Sequence, residues 1–584
     1  MSHPIPGKGI LFACCLSILP FCTDAQVTLH DSKELIDLGI ARYDEGKYKE
    51  ALEAFRKVPE GDTNFHIAKY EMALSAFADS AFAEARNHAL EGLTLPFADR
   101  RSMRLLLGHS YDGLDKKDSA FYYYDQLLKE NPHDHIAYYE KGVVYFNRKE
   151  YDKALEAFRT GLLINPYHFN LHRMTGVTYM RQGRLTEATL SLATSLLFTN
   201  NMQTARSSII LLNNMASQTA EIAKFYEEKD SRYEHELFNE IDAIINARLA
   251  LSKGYKVPSV MSDDNIIRLL YVVMEKAKYS ADDTSFAMQY YVPLFTNIFK
   301  EDQFDPFVLL LFSNFGLETV DQYAKKQKRD ISRVRDIVFP YADKIVNTRT
   351  LNFKAREKAP LKYFYNSSSN VYIDAAFRMG KEDIEFTGGP AVYYKNNVLT
   401  AAGNFNKDGK KEGEWNYYFS FGKLRLTEQY KNGTIQGKAY SYRLNGHLKE
   451  ITTYDAEGNE ITEETFTYNG QPHIRTKFLT GKESELVYLH KNGHEQQKLR
   501  IKNDKVSDGK YQTYYVNGKL SREMDIKDGK LHGVMREYYE NGQLREEIEY
   551  RNGDRHGKYT SWYDDGQKED EYQYANGKPD GPYI

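Results

Sequence analysis

The sequence predicts an α+β multidomain repeat protein, in which an N-terminal α-helical solenoid is followed by a C-terminal antiparallel β-meander of 24-residue hairpin repeats. Three observations support this prediction. Residues recur at intervals of 34 in the N-terminal third, glycines recur at multiples of 24 in the C-terminal third, and an apolar leader precedes both. Fixed periods of about 20–50 residues are typical of repeat architectures, in which each unit packs against its neighbours.

The composition is that of an ordinary globular protein. Apolar residues make up 41% and charged residues 27% of the 584 residues, and 78 Lys and Arg against 82 Asp and Glu give a net charge of −4. No long run of like charge occurs. We therefore expect neither nucleic acid nor an anionic membrane surface as a partner.

The first 25 residues have the pattern of a secretory signal peptide. Lys8 supplies the positive end, an apolar stretch follows over 10–22, and Thr23 and Ala25 place small residues before Gln26. The pattern predicts cleavage after Ala25. It also predicts an exported protein that is periplasmic, associated with the outer membrane or secreted.

All three cysteines, Cys14, Cys15 and Cys22, lie within this leader. The mature chain would therefore form no disulfide. Lipidation of a leader cysteine stays open as an alternative, although Phe21 is bulkier than the residue that usually precedes a lipidated cysteine. Downstream, no apolar run reaches the roughly 18 residues of a membrane-spanning helix. We expect no transmembrane segment in the mature chain.

A 34-residue period begins near residue 32. Three sets of residues repeat in register: Gly39, Leu74, Gly108, Gly142 and Gly176; Ala51, Ala85, Ala120, Ala154 and Ala188; and Phe55, Ala89, Tyr124, Phe158 and Leu192. Small residues in the first two sets would let two antiparallel helices approach closely, and large residues in the third set would fill the space around that contact.

The segment that runs from Tyr138 through Gly142, Ala154 and Phe158 to Pro166 resembles the tetratricopeptide repeat family. The resemblance covers residues 32–202 as five repeats and is weakest in the second, where Leu74 and Ala89 depart from the pattern. It implies a superhelix with a concave groove that is lined by the first helix of each pair. The groove positions, which could instead be scaffold residues, are His109, Asp112, Tyr139, Phe146, Arg173 and Met180.

Residues 203–360 show helical spacing without a clean repeat. The spacing predicts helices over 209–215, 238–251, 266–277, 286–299 and 308–323. We interpret them as degenerate helical hairpins that extend or cap the array. Residues 361–388 change character: a Ser/Asn tract forms a linker, and lead-in strands follow it.

Glycines at multiples of 24 mark eight units over 389–584, and each unit is numbered here from its glycine as position 0. Asn-Gly or Asp-Gly pairs fall at positions 8/9 and 19/20 in most units. These pairs tolerate positive φ at both residues, so we expect two-residue type I′ turns at both places. In that register position 2 faces position 15 and position 6 faces position 11, with all four on one apolar face.

Position 5 is almost always aromatic, and the same register places it on the opposite, charged face. This aromatic stripe consists of Tyr394, Tyr418, Tyr442, Phe466, His490, Tyr514, Tyr538 and Trp562. Stacking between neighbouring strands, which stiffens the sheet, is one interpretation. The other is a contact stripe for a protein partner or a glycan, with Tyr418, Tyr442, Tyr514, Tyr538 and Trp562 as candidate contact residues.

The glycine at position 0, the Tyr-Tyr pair, the Asn-Gly turn, a following Leu and a closing Tyr resemble the MORN family, in the variant found in bacterial antitoxin proteins of the YwqK type. Residues 461–504 depart from the pattern, since Ile461 and Glu485 replace the glycine; we expect bulged or irregular units there. The resemblance implies protein or lipid contact, and its antitoxin type implies toxin neutralisation.

No nucleophile elbow, phosphate-binding loop or metal-spaced pair of His or Cys occurs. The sequence thus predicts no enzyme, no cofactor and no metal. His133 and His135 lie in a loop between helical repeats and are expected to be solvated. The two arrays are expected to fold separately, since their contacts would be between nearest neighbours and a polar tract joins them.

These observations favour a non-catalytic exported scaffold or adaptor that mediates protein–protein interactions in the bacterial cell envelope. Two alternatives remain: a glycan-binding envelope module that uses the aromatic stripe, and an immunity or antitoxin-like protein that neutralises a secreted toxin.

Overall fold

A computed structural model describes residues 31–199, 201–252, 254–259, 261–312, 328–349, 361–366, 371–379, 384–479 and 482–580. The predicted signal peptide, its cleavage site and the three cysteines lie outside these residues. So do part of the 308–323 helix and most of the Ser/Asn linker.

The N-terminal part is helical from Ser32 to Thr348, and ten helices form five consecutive pairs. These are α1 (Ser32–Asp44), α2 (Tyr48–Phe55), α3 (Phe65–Ala78), α4 (Phe82–Thr94), α5 (Arg100–Gly113), α6 (Lys117–Glu130), α7 (His135–Asn147), α8 (Tyr151–Ile164), α9 (Phe169–Arg181) and α10 (Leu185–Leu197). Asp residues cap several of the first helices; for example, Asp134 Oδ1 accepts from the backbone N–H groups of Ile136 and Ala137.

Most pairs close on a glycine that a large side chain covers. A Cβ atom added to Gly108 or Gly142 would lie 2.3 Å from Tyr124 or Phe158, respectively. Only glycine therefore fits, as the sequence spacing predicted. The second pair reverses this arrangement: Leu74 stands in place of the glycine and Ala89 in place of the aromatic residue. Ala89 is fully buried and packs in a small core with Leu74.

Eight further helices follow the five pairs over the described residues. They are α11 (Met202–Ala216), α12 (Ala220–Glu227), α13 (Glu236–Asn246), α14 (Asn265–Lys276), α15 (Phe286–Tyr290), α16 (Val292–Lys300), α17 (Phe304–Phe312) and α18 (Lys328–Thr348), with short 3₁₀ turns at Ser231–Tyr233 and Leu249–Leu251. One continuous apolar core extends from Ala154 to Ile345 and encloses α10, which is buried along nearly its whole length. These helices therefore cover the end of the five-pair stack.

The C-terminal part is one antiparallel meander of 23 strands over the described residues. The strands are β1 (Leu361–Asn366), β2 (Val371–Met379), β3 (Ile384–Phe386), β4 (Gly389–Lys395), β5 (Val398–Phe405), β6 (Lys411–Tyr418), β7 (Leu424–Lys431), β8 (Thr434–Ile435), β9 (Gly437–Tyr442), β10 (Leu448–Tyr454), β11 (Glu460–Phe466), β12 (Pro472–Phe478), β13 (Glu483–Leu489), β14 (Glu495–Lys502), β15 (Lys505–Val506), β16 (Gly509–Tyr514), β17 (Leu520–Lys527), β18 (Lys530–Leu531), β19 (Gly533–Tyr538), β20 (Leu544–Arg551), β21 (Asp554–Trp562), β22 (Lys568–Ala575) and β23 (Lys578–Asp580). The predicted fold class, a helical array followed by a β-meander, is confirmed.

The two kinds of turn differ, and only one is as predicted. At four of the five Asn-Gly or Asp-Gly pairs at positions 19/20 both residues have positive φ, for example Asn552 (55°) and Gly553 (94°), which is the predicted type I′ turn; at Asp408-Gly409 only the glycine does. At positions 8/9 only the glycine does, as at Gly542 (94°). There the Gly542 N–H donates to the Tyr539 carbonyl and the Tyr539 N–H to the Gln543 carbonyl, at 2.9 and 2.8 Å. This is a three-residue loop with a glycine bulge.

Because of this bulge, the observed register differs from the predicted register at the loop end of the hairpin. Position 2 faces position 15 as predicted, for example Met535 opposite Ile548. Position 11, however, faces position 5 rather than position 6, as Leu544 faces Tyr538. The extra loop residue produces this shift.

The units over 461–504 are more regular than predicted. Strands β11 to β14 pair continuously in antiparallel order, with register shifts only beside the turns, at Thr465/Phe466 and Tyr488/Leu489. The loss of the position-0 glycine at Ile461 and Glu485 therefore does not interrupt the sheet. Within the described residues, no helix has the length and apolar character needed to cross a membrane.

Candidate partner-binding surfaces

The first helices of the repeats form one layer of the helical array. Neighbouring first helices α1, α3, α5, α7 and α9 pack against one another more closely than neighbouring second helices do. A stack that is tighter on one side curves toward that side. The surface of the first helices is therefore the candidate for the predicted groove.

Two of the predicted groove residues form polar pairs on this surface. His109 of α5 places Nε2 3.2 Å from Glu140 Oε2 of α7, so the pair joins two repeats. Burial opposes protonation of His109, but the Glu140 carboxylate outweighs it and raises the pKa of the imidazole. Asp112 accepts from Lys117 Nζ at 3.0 Å within its own repeat.

Three further predicted groove residues are half-buried. Tyr139 packs on Phe158 and His168, with ring centroids 6.1 and 5.7 Å apart. Burial raises the pKa of Tyr139, and neighbouring Arg173 partly offsets the rise. Phe146 packs on Tyr151 at 5.5 Å between centroids.

Met180, the sixth predicted groove residue, belongs to the core instead. Its side chain is 3% exposed and packs within the continuous core of the last helices. The prediction of a groove contact at Met180 is therefore wrong. Helices that follow the fifth pair cover this end of the array, and their position could not be predicted from a repeat pattern that had already ended.

The aromatic stripe lies on the charged face of the sheet but does not form a stack. The Tyr538 hydroxyl donates to Glu523 Oε1 at 2.9 Å, and the Tyr514 hydroxyl donates to Gln512 Oε1 at 2.8 Å. Among the described residues, no two rings of the stripe are in ring contact with each other, and Tyr418 and Tyr442 have neither a ring contact nor a side-chain hydrogen bond. Stacking between neighbouring units therefore does not explain the stripe.

The carbonyl groups of the stripe accept hydrogen bonds from the preceding unit. The Tyr515 hydroxyl donates to the Tyr538 carbonyl at 2.6 Å, and the Tyr539 hydroxyl donates to the Trp562 carbonyl at 2.9 Å. The side chain at position 6 thus bonds to the next unit. Its predicted place on the apolar face is wrong. Tyr563 holds the same position in the last unit and is 50% exposed.

The structure also contains a junction between the two arrays that sequence reasoning missed. Its centre is a small core of Val346, Tyr372 and Tyr394, with Tyr372 only 1% exposed. Tyr394 is the first member of the aromatic stripe. The expectation that contacts run only between nearest neighbours within each array is therefore wrong.

Loops between helical repeats provide the other side of this junction. His133 Nε2 lies 2.6 Å from Asp374 Oδ2, and Asn131 Nδ2 donates to the Asn397 carbonyl at 3.1 Å. His135 is 5% exposed, and burial, followed by neighbouring His168, lowers its pKa well below the ordinary value. The prediction that His133 and His135 are solvated is wrong, because the first β-hairpins cover the loop.

The junction could not be recognised in the sequence, because each residue has an adequate local explanation. His133 and His135 fit a solvated loop, and Tyr394 fits the stripe period. Only the packing of the first β-hairpins against the loops of the helical array, which the repeat periods do not determine, brings them together.

The described residues contain no group of three or more His, Cys, Asp or Glu side chains that could hold a metal ion. The candidate site residues provide packing, hydrogen bonds and charge on the surfaces described above.

Comparison with known proteins agrees with the two periods. The tetratricopeptide repeat model matches residues 135–168, and the MORN repeat variant model matches residues 411–432, 507–528, 531–552 and 555–576. A comparison with curated proteins gave no match.

Several solved structures are similar to the helical part. The crystal structure of MamA protein is 22% identical with a TM-score of 0.24, and the match covers 28% of this chain and 90% of that chain. TTC0263, a thermophilic TPR protein in Thermus thermophilus, is 19% identical with a TM-score of 0.27 and covers 31% and 100%. YrrB, a TPR protein with an unusual peptide-binding site, is 19% identical with a TM-score of 0.24 and covers 31% and 92%. The chain thus combines a tetratricopeptide repeat in its helical part with MORN repeat variants in its β part.

Proposed function

We propose that this protein is a non-catalytic scaffold whose first-helix surface holds a segment of a protein partner. Both repeat families that match the chain support an interaction scaffold. The leader supports export, and we place the scaffold in the cell envelope on that basis.

The observation that carries the proposal is a row of polar and aromatic side chains that crosses three repeats. His109 on α5 pairs with Glu140 on α7, and Tyr139 on α7 neighbours Arg173 on α9. Half-buried aromatic and charged groups in such a row provide anchors whose rotamers are already restricted, which lowers the entropy cost of binding a segment.

The row also has one uncompensated charge. Asp112 on α5 and Glu140 on α7 are each paired with a cation, Lys117 and His109, whereas Arg173 on α9 forms no ion pair among the described residues. A segment with an acidic end over α9 complements this surface.

Site-specific photo-cross-linking in the native host tests the proposal. A photoreactive phenylalanine analogue at Phe146 samples the first-helix surface. The same analogue at Tyr122, which is 58% exposed on α6, samples an outer helix. We expect a discrete protein adduct at position 146 and none at position 122. Equal adducts at both positions, or adducts only at 122, would contradict the proposed surface.

Export has its own test. Edman sequencing of the protein purified from the envelope fraction should begin at Gln26. Protein that begins at Met1 and is recovered from the cytosol would remove the proposed location and leave the interaction surface unaffected.

A further inference from the structure

One wall of a buried imidazole in the helical array is formed by the β array. His135, the first residue of α7, is only 5% exposed. The hydroxyl of Tyr372 on β2 lies 3.4 Å from its Nδ1 atom, and the two ring centroids are 6.3 Å apart. Tyr372 is itself 1% exposed and belongs to the small core of the junction. The surroundings of His135 are therefore complete only while the two arrays are docked.

The hydrogen bonds around His135 require a neutral ring. Asn165 Oδ1 accepts from the Tyr167 N–H at 3.1 Å, which turns the Nδ2 atom of the amide toward His135. This Nδ2 atom lies 3.1 Å from His135 Nε2. Because an amide nitrogen only donates, Nε2 accepts, and the single ring proton is on Nδ1, beside the Tyr372 hydroxyl. A second proton, on Nε2, would point at the amide donor and replace this attraction by a repulsion.

The charged groups that face His135 from the helical array also oppose a second proton. His168 lies 5.1 Å away between ring centroids, and Arg101 and Arg349 add positive charge. The Asp134 carboxylate already accepts from Arg101, at 2.7 and 3.0 Å. Burial, and after it these three basic neighbours, lower the pKa of His135 well below its ordinary value.

One pair at the junction responds to acid in the opposite direction. His133 Nε2 lies 2.6 Å from Asp374 Oδ2 on β2, and protonation of His133 strengthens this bond. The two side chains are 25% and 42% exposed, so water screens their attraction. A charge on the buried His135 has no such screening while the arrays are docked. His135 therefore determines the direction in which acid changes the junction.

We propose that the junction is an acid-released latch: the β array is docked at neutral pH and separates from the helical array when His135 binds a second proton. Separation from β2 lets water accept from both ring N–H groups, which the docked arrangement does not provide. The latch concerns the arrangement of the two arrays and does not depend on the proposed partner surface.

The direction and size of the pH dependence follow from the two states of His135. An exposed histidine has a pKa near 6.5, and the docked ring has a lower pKa. Below pH 6.5 the separated form therefore binds a proton that the docked form does not, so acid favours separation. Between pH 7 and pH 5 the docking equilibrium constant should fall about 25-fold.

Protection of one buried cysteine measures the separation of the arrays. A chain that begins at Gln26 contains no cysteine, so Val346→Cys, at a 1% exposed position of the junction core, supplies a single thiol. Its rate of reaction with dithiodipyridine, relative to an unstructured cysteine peptide at the same pH, gives the opening equilibrium. Ala188→Cys, fully buried in the helical core, reports unfolding of that array. We expect the protection at position 346 to be smaller than at position 188 and to fall about 25-fold from pH 7 to pH 5.

Two variants of the Val346→Cys chain identify the responsible group. His135→Gln does not titrate, yet its amide can accept from Asn165 and donate to the Tyr372 hydroxyl, so its protection should change less than about threefold. His133→Gln is the matched control and should keep a fall of at least about 25-fold, because His135 is intact. Equal protection of the Val346→Cys chain at pH 7 and pH 5 would overturn the proposal. An undiminished fall in His135→Gln, the loss of the fall in His133→Gln, or equal protection at positions 346 and 188 would do the same.

Discussion

Neighbouring repeats of the helical array are held together by side chains, whereas neighbouring units of the β array are held together mainly by main-chain hydrogen bonds. In the helical array Phe158 fills the space above Gly142 and joins a core that continues to Ile345. In the β array the apolar face contributes only small clusters, such as Met535, Ile548 and Tyr574. A single side chain therefore contributes more to stability in the helical array than in the β array.

The two arrays therefore tolerate sequence change differently. The β units over 461–504 lack their position-0 glycine and still pair in register. In the second helical repeat Leu74 replaces the glycine and Ala89 replaces its aromatic partner, so the large and the small residue exchange positions. Side-chain packing requires that a change of size at one residue be compensated by a change at its partner. A ladder of main-chain hydrogen bonds tolerates an uncompensated change.

The largest expected effect comes from a cavity in the helical core. Phe158→Ala removes a fully buried ring and should cost about 3–5 kcal/mol of unfolding free energy. Thermal or urea unfolding measures this loss. Tyr122→Ala, on an exposed neighbouring helix, should cost under about 0.5 kcal/mol. Similar costs for the two variants would contradict the packing argument.

The second effect is a pH dependence confined to the helical array. Burial lowers the pKa of His172 to about 3, and its Nε2 lies 2.8 Å from the Pro166 carbonyl. The unfolded chain binds a proton near pH 6.5 and the folded chain does not, so stability falls as pH drops below 6.5. At pH 5 His172 alone should remove about 2 kcal/mol.

Urea unfolding at pH 7 and pH 5 measures this dependence. His172→Gln should lose part of it, whereas His473→Gln, at an exposed position on β12, should keep all of it. If His473→Gln loses as much of the pH dependence as His172→Gln does, the pH dependence does not arise from the helical array and the prediction is wrong.

The contacts that could be predicted from the sequence are those that recur with the repeat period. The Gly142–Phe158 contact repeats every 34 residues and was predicted correctly. The Asn552-Gly553 turn was also predicted correctly, because both residues need positive φ. The turn at Asn541-Gly542 has the same letters but a three-residue loop, and loop length is not encoded by the pair alone. The junction around Tyr372 has no period and was missed.

A smaller effect should separate two equivalent turns of the β array. Asn541 Nδ2 donates to the Asp564 carbonyl of the next unit at 2.7 Å, and its Oδ1 accepts from the Gln543 N–H. The Asn517 side chain makes only the second kind of bond, with the Lys519 N–H, within the described residues. Asn541→Ala should therefore cost about 0.5–1.5 kcal/mol more than Asn517→Ala in urea unfolding. Equal costs would show that the bond between units does not stabilise the sheet.

The smallest effect is expected at the aromatic stripe. The Tyr418 side chain has no ring contact or hydrogen bond within the described residues, whereas the adjacent Tyr417 packs on Trp415 at 6.4 Å and accepts from Lys411 Nζ at 2.6 Å. Tyr418→Ser should change the unfolding free energy by about 0.5 kcal/mol or less, and Tyr417→Ser should cost more. A Tyr418→Ser chain that melts as early as Tyr417→Ser would make the stripe structural.

The central claim is that the first-helix surface, and not the β array, holds the protein partner. The most direct measurement is the affinity of the segment captured at position 146, titrated against three full-length variants. Arg173→Glu on α9 should weaken binding at least tenfold, because it reverses the charge at one end of the row. Arg86→Glu on the second helix α4 and Trp562→Ser on the stripe should bind with native affinity. Native affinity for Arg173→Glu together with a loss for Trp562→Ser would contradict the account and assign the partner to the β array.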